Sequence, residues 1–449
     1  RKVEVRLVLL LAALALAATA GLAQAVGVSV EGASWRNAGA AGLLPLAQIL
    51  RKFLATFSDE KYVVPICSAM GFAFILRATE CDQHLVRLLI KPFQKIRVLL
   101  VPATVVIGFL VNIPLISQTS TAVAVGTVLV PLLKAARVRP LTIAAALVLG
   151  ASIGGELLNS AAPELRSIAD SLLKTDPEAS SQKCVARVLP LIWPHLLVAT
   201  LVFWAQSWWA DRNWQSDETI AAPKEFRINL LKALVPFIPL VILFLTSPPL
   251  TLIKIPKEWL VNVKNESELN AFESRMIGAA MLAGVAAAAL TSPNRFKDAA
   301  RTFFEGAGYG FTYIIGLIVA ASCFGEGIKQ IGLDRSISRV IGMAPSLLVP
   351  LAALLPLLFG MLSGSGMAAT QSLYPFFVDP IRAMNANPYH VGAVVAIGAA
   401  AGRTASPVAA VTLMASNMTD ANSFDIAKRV LLPVLAGLVV VTIMAMIMS

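Results

Sequence analysis

Residues 363–366 read Ser-Gly-Ser-Gly, and residues 402–407 read Gly-Arg-Thr-Ala-Ser-Pro. Both stretches interrupt apolar segments where a membrane-spanning helix should be continuous. An irregular backbone at membrane depth leaves N–H and C=O groups unpaired, so it is tolerated only where protein buries it or where it lines a water-filled cavity. We therefore interpret the two breaks as half of a binding site within a membrane protein.

The composition defines the class of protein. Of 449 residues, 57% are hydrophobic and 14% are charged, and the mean hydropathy is +0.75, which indicates a polytopic membrane protein. The net charge of +11 comes from basic residues scattered over short loops, as positive-inside topology requires, so we expect no nucleic-acid partner. The four cysteines and three histidines lack metal-ligand spacing, so we expect no metal and no cofactor.

Apolar and amphipathic segments predict the remaining helices. Residues 5–26 are interpreted as a transmembrane helix rather than a signal peptide, and because the chain begins with Arg1 we expect its natural start to be missing. Further spans are predicted at 62–76, 189–209, 228–245, 276–290 and 311–324. Interfacial or surface helices are predicted at 41–57, 82–96, 294–305 and 333–341, and a charged loop at 163–187.

The first half of the chain contains a second interrupted region. An apolar segment ends in Ser-Gln-Thr-Ser-Thr at residues 117–121, and the apolar run that follows, 122–133, is too short to cross the bilayer. Basic residues come directly afterwards, so the chain is expected to enter and leave from the cytoplasmic side. We predict a re-entrant hairpin at about 98–134 with a hydroxyl-rich tip, followed by a broken helix at about 140–163.

The two halves repeat each other. Pro388, Gly398 and Gly402 follow Pro140, Gly150 and Gly154 at one constant offset of 248 residues. The predicted units are 1–209 and 227–449, joined by a loop at 210–226, and the second unit has a hairpin at about 345–384 and a broken helix at about 389–418.

An odd number of crossings between the hairpins turns the two units upside down relative to each other. The predicted fold is an all-α polytopic membrane protein with two inverted-topology repeats, each with a re-entrant helical hairpin and a discontinuous transmembrane helix, which is typical of secondary transporters. The span at 228–245 has no counterpart in the first unit, so a further helix is expected before Arg1.

The chemistry of the breaks points to an anionic ligand. Short helices are expected to begin after each tip and at Pro163 and Pro407, with Ser406 as an N-cap, so up to four helix N-termini could converge on one cavity. A ligand with two carboxylates would suit two such pairs. The alternative is that Gly and Ser at these positions only permit close packing of helices.

Arg403 is the most informative single residue, because a charged side chain near the bilayer centre is costly. It could bind a substrate carboxylate, or it could form a structural ion pair with Glu156, which the offset of 248 brings close to it. Glu156 could alternatively carry a coupling proton. Asn112 and Asn159 are polar in apolar surroundings and are expected to line the cavity.

Several runs resemble one family. The runs SQTSTAVAVGTVLVPLLKAARV (117–138), LSGSGMAATQSLYPFF (362–377) and GRTASPVAAV (402–411) are similar to those of the C-type anaerobic four-carbon dicarboxylate carriers of the ion-transporter superfamily, and the likeness begins at about residue 64. The resemblance implies a bacterial inner-membrane homodimer that carries succinate, fumarate or malate by an elevator-like motion.

The resemblance and the breaks together give the predicted substrate-binding residues. These are Ser117, Gln118, Thr119, Ser120, Thr121, Asn159, Ser160, Ser363, Gly364, Ser365, Gly366, Gly402, Arg403, Thr404 and Ser406. A coupling ion, H⁺ or Na⁺, is left open, as are the alternatives of a carrier for another organic anion and an anion channel. An enzyme is not expected, since no His or Asp lies near the Ser-rich tips in sequence.

Overall fold

The computed structural model describes residues 4–25, 43–93, 99–173, 176, 178–212, 214, 227–246, 252–263, 265–269, 271–332, 339, 341 and 344–448. Every regular element among these residues is helical. Eight of the helices described there are long and apolar enough to cross a membrane. The prediction of an all-α polytopic membrane protein is therefore confirmed.

The helices are numbered in chain order. In the first half they are α1 (Val5–Ala25), α2 (Leu44–Phe57), α3 (Glu60–Ala78), α4 (Cys81–Ile90), α5 (Leu100–Asn112), α6 (Gln118–Ala135), α7 (Pro140–Ser152), α8 (Pro163–Leu172) and α9 (Ser181–Ala210). In the second half they are α10 (Leu230–Leu234), α11 (Ile238–Thr246), α12 (Glu266–Leu269), α13 (Phe272–Leu290), α14 (Ala299–Tyr309), α15 (Gly316–Gln330), α16 (Leu348–Ser363), α17 (Gly366–Leu373), α18 (Val378–Ala383), α19 (Pro388–Thr404), α20 (Ala410–Thr419) and α21 (Ser423–Met448).

Both predicted tips are breaks between helices. The first lies between α5 and α6, and α6 is 18 residues long because Ser117 caps it and residues 118–121 join its first turn. The helix therefore begins four residues before the apolar run at 122–133. The second tip lies between α16 and α17, where Gly364 adopts the left-handed conformation with φ +69°, a region that glycine occupies without steric cost.

Both predicted broken helices are also present. The first breaks after α7, where Gly154 has φ +120° and a short 3₁₀ turn, Gly155–Leu158, precedes α8. The second breaks between α19 and α20.

Helix contacts repeat with the same offset as the sequence. A methyl group at Gly150 would lie 2.7 Å from Val105 O, and one at Gly398 would lie 2.5 Å from Ala353 O. Both partners, as well as both glycines, are 248 residues apart. The glycines let α7 approach α5, and α19 approach α16, within backbone contact, so the sequence repeat is also a repeat of packing.

The helices pack into two groups, and each group takes elements from both halves of the chain. The hairpin group contains α5–α9 and α16–α21, and the wall group contains α1–α3 and α13–α15. Helix α4 packs against α3 on one side and against α5 and α6 on the other. The groups meet where α15 contacts α17 and where α3 contacts α8.

Some predicted segments differ from the structure. The charged loop expected at 163–187 is wrong, because α8 and the start of α9 occupy most of it and Pro163 opens a buried helix. The interfacial helix at 294–305 and the span at 311–324 are instead parts of one continuous helical run over 299–330. Most of 210–226 and of 333–341 lies outside the described residues.

Candidate functional site

A cavity of about 230 Å³ lies where the two groups meet. The first tip, the second tip and the starts of α8 and α20 form its hairpin-group side, and the helical run at 309–317 forms its wall-group side. Its lining residues are Ile116, Ser117, Gln118, Thr119, Pro163, Glu164, Tyr309, Tyr313, Ile314, Leu317, Gly364, Ser365, Gly366, Met367, Arg403, Ala409, Ala410 and Val411.

Four helices begin at this cavity. Ser117 Oγ accepts from the Ser120 N–H of α6 at 3.3 Å, and Ser365 Oγ accepts from the Ala368 N–H of α17 at 3.1 Å. Pro163 opens α8. The remaining N–H groups of each first turn have no partner within the helix, and each N-terminus carries a partial positive charge. The cavity therefore offers backbone donors at four helix starts, which suits an anion, and Glu164 adds one carboxylate at the start of α8.

The fourth helix start differs from the prediction. Helix α20 begins at Ala410 with Ala409 as its N-cap, not at Pro407 with Ser406 as the cap. The reason is local, because Ser406 Oγ accepts from the Val408 N–H at 3.3 Å and so closes a turn before the helix begins.

Arg403 lies at the end of α19 and is only 5% exposed. Its guanidinium donates to Glu156 Oε1 and, over 3.0 Å, to Glu164 Oε1. Its Nε lies 3.1 Å from Ser152 Oγ, and its Nη2 lies 2.8 Å from Ser152 O. Glu156 and Glu164 are also buried. Of the two roles that the sequence left open for Arg403, the ion pair with Glu156 is present, and Glu164 extends it to a triad with two acids and one base.

One carboxylate oxygen of the triad has no hydrogen bond. Glu156 Oε2 is buried and has no hydrogen-bond partner within the described part of the chain. A buried oxygen without a hydrogen bond is costly, so the triad leaves one polar atom of Glu156 unsatisfied although its charge is paired with Arg403. Glu164 and Arg403 face the cavity, whereas Glu156 lies behind them.

The predicted site residues divide into two sets. Those that line the cavity are Ser117, Gln118, Thr119, Gly364, Ser365, Gly366 and Arg403. Those that do not are Ser120, Thr121, Asn159, Ser160, Ser363, Gly402, Thr404 and Ser406. Of the second set, Thr121, Asn159 and Thr404 donate hydrogen bonds to backbone carbonyls behind the breaks.

Polar side chains near the first tip satisfy the interrupted backbone. Asn159 Nδ2 donates to Ile113 O at 3.0 Å, and Thr121 Oγ1 donates to Leu115 O at 3.0 Å. Asn112 is completely buried, and its Oδ1 accepts from the Glu156 N–H at 3.1 Å. The expectation that Asn112 and Asn159 line the cavity is therefore wrong, because the unpaired backbone at the break takes up their hydrogen bonds.

Close packing explains two further residues. A methyl group at Gly402 would overlap Leu357 O, so this glycine lets α19 approach α16. Thr404 Oγ1 lies 2.7 Å from Ala400 O and 2.8 Å from Ser152 O, at the contact between α19 and α7. For Gly402 the packing interpretation agrees with the structure.

Sequence reasoning missed the aromatic wall. Tyr309 and Tyr313 line the cavity, and their rings lie 4.5 Å apart. A π-helical segment, Gly310–Ile315, places them there, and such segments are frequent at functional sites. The signal was the run of residues 306–313, Gly-Ala-Gly-Tyr-Gly-Phe-Thr-Tyr, in which glycines and aromatic residues alternate within an apolar segment.

Helices that break at one cavity, within a bundle of membrane-length helices, define a multi-pass membrane protein of the transporter class. The chain belongs to the DcuC family, described as C4-dicarboxylate anaerobic carriers, whose model matches residues 63–449. The family resemblance of the tips and of the second broken helix is thereby confirmed.

Named relatives agree with this assignment. A stretch of 93 residues is 42% identical to an uncharacterized transporter of Haemophilus influenzae and covers 21% of this chain and 64% of that protein. A stretch of 143 residues is 28% identical to the anaerobic C4-dicarboxylate transporter DcuC of Escherichia coli K12 and covers 31% of each chain. These relatives are named as transporters, which confirms the prediction of a transporter rather than an enzyme.

Two solved structures share the fold. The YdaH transporter of Alcanivorax borkumensis matches with a TM-score of 0.61 at 15% identity, over 99% of this chain and 98% of its own. MtrF of Neisseria gonorrhoeae, which represents a class of antimetabolite efflux pumps, matches with a TM-score of 0.58 at 14% identity, over 99% of this chain and 95% of its own. At these identities the likeness concerns the fold alone.

Proposed function

We propose that this protein is a secondary active transporter of C4-dicarboxylates such as succinate, fumarate and malate. The observation that carries the proposal is the convergence of four helix N-termini on one cavity. Membership of the C4-dicarboxylate anaerobic carrier family supports the substrate class. A carrier of another organic anion is the alternative, and the same cavity would serve it.

The substrate would be held at both ends by helix starts. One carboxylate would lie between the first tip and the start of α8, and the other between the second tip and the start of α20. The hydroxyl groups of Ser117 and Thr119 supply further donors at one end. The apolar carbons between the carboxylates would contact Ile314 and Leu317 of the wall group.

The coupling ion is proposed to be a proton bound by the Glu156–Arg403–Glu164 triad. Two buried carboxylates face one guanidinium, so the triad carries one excess negative charge unless a proton neutralises it. A substrate carboxylate entering beside Glu164 would add a further negative charge to the triad, and an accompanying proton would offset it. This would link the binding of anion and proton at one place.

Transport is proposed to follow an elevator-type alternating-access mechanism. Most of the cavity belongs to the hairpin group, and the wall group supplies one side of it. A substrate bound to the tips would therefore move with the hairpin group along the wall. The inverted arrangement of the two repeats, a homodimer and a bacterial inner-membrane location are proposed from the family resemblance and the repeat.

Counterflow in proteoliposomes tests the function. Vesicles loaded with unlabelled succinate should accumulate external labelled succinate, because a carrier exchanges substrate across the membrane. Fumarate and malate loaded inside should also stimulate uptake, whereas propionate, which has one carboxylate, should not. Uptake without stimulation from the opposite side would indicate a channel, and stimulation by propionate alone would contradict the dicarboxylate assignment.

The coupling proposal has its own test. Glu164→Gln retains an oxygen for Arg403 and removes the excess negative charge of the triad, so exchange of labelled succinate should continue while uptake driven by a pH gradient is lost. Glu305→Gln, an acid on the exposed side of α14, is the matched control and should keep both activities. Uptake by the Glu164 variant that still follows the pH gradient, or a wild type driven by a sodium gradient alone, would contradict the proton triad.

A further inference from the structure

A second cavity, of about 320 Å³, lies at the ends of several helices away from the substrate site. The C-terminal ends of α6 and α9 and the start of α7 surround it, and Val101 of α5 adds an apolar side. The candidate spans at 140–172 and 181–210 each begin or end here. The cavity is therefore at the boundary between the hydrocarbon core and water on one side of the membrane.

The lining of this cavity is strongly basic. Arg137, Arg139 and Arg212 line it, and Asp211 is the one acid among its lining residues. Asp211 is already neutralised, because Arg429 Nη2 donates to its Oδ1 at 3.3 Å and Arg139 Nη1 lies 3.7 Å from the same atom. Within the described residues, Arg137 and Arg212 have no carboxylate partner. Among the residues that the structure describes, this cavity thus holds two cations without a carboxylate partner.

Tryptophan side chains form the other part of the lining. Trp204, Trp208 and Trp214 line the cavity, and the Arg139 guanidinium lies 5.5 Å from the centre of the Trp214 ring. Trp208 is 71% exposed. Indole rings prefer the headgroup level of a bilayer, where one edge is wet and the face is apolar.

An apolar surface continues from the cavity along α9. Leu197 and Leu201 precede Trp208 on this helix, and both are exposed, at 59% and 49%. In a membrane these side chains contact acyl chains. A molecule with an anionic head in the basic cavity and apolar chains along α9 would therefore satisfy both parts of the surface.

We infer that this cavity binds the headgroup of an anionic phospholipid. Basic pockets between transmembrane helices on the cytoplasmic side are suited to such headgroups. The arginine-rich loop 136–139 marks that side by the positive-inside rule. The phosphate would contact Arg137 and Arg212, and the chains would follow α9 into the bilayer. The site involves none of the residues of the substrate cavity, so it stands independently of the transported substrate.

Lipid titration of the purified, delipidated protein tests this site. Phosphatidylglycerol should raise the thermal unfolding midpoint at a concentration at least tenfold lower than phosphatidylcholine does. In Arg137→Asn/Arg212→Gln the apparent affinity for phosphatidylglycerol should fall about thirty-fold. Each basic residue near a membrane surface contributes about a fivefold gain in affinity, and two such residues are removed. Asn is chosen at position 137 because the backbone there has φ +57°.

Control variants separate charge from structure. Arg295→Gln/Arg301→Gln removes two basic residues that line a different cavity and should bind phosphatidylglycerol like the wild type. Arg137→Lys/Arg212→Lys keeps the charge and should retain the preference for phosphatidylglycerol, and it remains informative if the neutral variant does not fold. An unchanged response of the neutral variant would overturn the proposal. So would stabilisation of the wild type by inorganic phosphate equal to that by the lipid, because the site would then bind free phosphate.

Discussion

The Arg403 guanidinium lies in a buried cluster of charged groups with Glu156 and Glu164. The sequence left two roles open for Arg403, which were binding of a substrate carboxylate and a structural ion pair with Glu156. In the structure two buried glutamates and the Ser152 carbonyl already hold its guanidinium, although one side still faces the cavity. The residue therefore joins the two broken helices to each other. Any contact of Arg403 with a substrate would involve a guanidinium that is already bonded to Glu156 and Glu164.

Removal of the charge should reveal the structural role. Arg403→Gln leaves two buried carboxylates without a partner, and loss of one member of a buried pair typically costs about 3–5 kcal/mol. We expect the unfolding midpoint of this variant to fall sharply in detergent. The triple variant Arg403→Gln/Glu156→Gln/Glu164→Gln, which removes all three charges, should recover most of the stability but not transport.

The comparison of these two variants is decisive for Arg403. A single variant that is as stable as the wild type would show that the triad does not hold the fold, and it would favour a role in substrate binding alone. Recovery of transport together with stability in the triple variant would contradict any direct part of the triad in transport.

Asp82 is a second residue with an unusual environment. It lies at the start of α4, outside the candidate spans, and is only 3% exposed. Burial raises the pKa of its carboxyl from 3.8 to about 6. The folded protein therefore binds this proton more tightly than the unfolded chain does, so the contribution of Asp82 to the free energy of unfolding falls as the pH rises from about 4 to about 6.

Asp82→Asn should remove this dependence. At pH 7.5 the variant should be more stable than the wild type by about 2–3 kcal/mol, because the wild type must bury an ionised carboxyl. The difference should shrink as the pH is lowered towards 4.5. Thermal unfolding in detergent at both pH values measures it, and an advantage of the variant that is constant with pH would contradict the raised pKa.

At the level of elements, glycines at the breaks serve two different purposes. Gly402 allows α19 to contact the backbone of α16, where nothing can move aside. Gly366 opens α17, and a methyl group there would lie 2.9 Å from Arg403 Nη1, at the end of a side chain, and 3.3 Å from Ala399 O. The first glycine therefore belongs to the packing of the repeat, and the second to the site.

Alanine substitutions should separate these purposes. Gly402→Ala should prevent accumulation of folded protein, because overlap with a backbone carbonyl can be relieved only by separating the two helices. Gly366→Ala should cost about 1–3 kcal/mol, a usual cost of overpacking, and still fold. Its succinate exchange should fall at least tenfold, since the guanidinium must shift. Fluorescence-detected gel filtration and counterflow measure the two effects, and equal behaviour of both variants would contradict the distinction.

At the level of the whole molecule, the boundary between the hairpin and wall groups carries polar contacts. Lys61 Nζ of α3 lies 3.3 Å from Asp170 Oδ1 of α8, and the Tyr62 hydroxyl donates to Asp170 Oδ2 at 3.1 Å. Arg166 of α8 forms an ion pair with Glu273 of α13. An elevator-type motion must break these contacts during every cycle.

Cross-linking across the boundary should stop transport. In a background without the four native cysteines, a short bismaleimide joining Lys61→Cys to Asp170→Cys should abolish succinate exchange, because it ties the wall group to the hairpin group. The matched control joins Asp176→Cys to Lys183→Cys, a pair with the same 3.3 Å contact that lies within the hairpin group, and should leave exchange intact. Full exchange after complete cross-linking of the first pair would contradict the elevator mechanism.

Much of the fold could be predicted because it depends on local features of the sequence. Apolar runs show which helices are long enough to cross the membrane, and breaks at Gly and Ser show where the backbone of such a helix is interrupted. The constant offset of 248 residues shows that the two halves of the chain repeat each other. The continuous helix over 299–330 was missed because glycines within an apolar segment resemble the end of a helix. Here the helix continues past these glycines as a π-helical segment, Gly310–Ile315.

The sequence by itself determined the class of protein, the two tips, the two broken helices and their pairing by repeat. Only the tertiary structure decided which side of each break faces the cavity. It turned Asn159 and Thr121 towards interrupted backbone, placed Glu164 beside Arg403 and brought Tyr309 and Tyr313 to the site. The physical reason is that the unpaired backbone groups at a break in a membrane helix need hydrogen-bond partners before the break can bind a ligand. The position of a polar residue in the sequence does not show whether its side chain bonds to that backbone or faces the cavity.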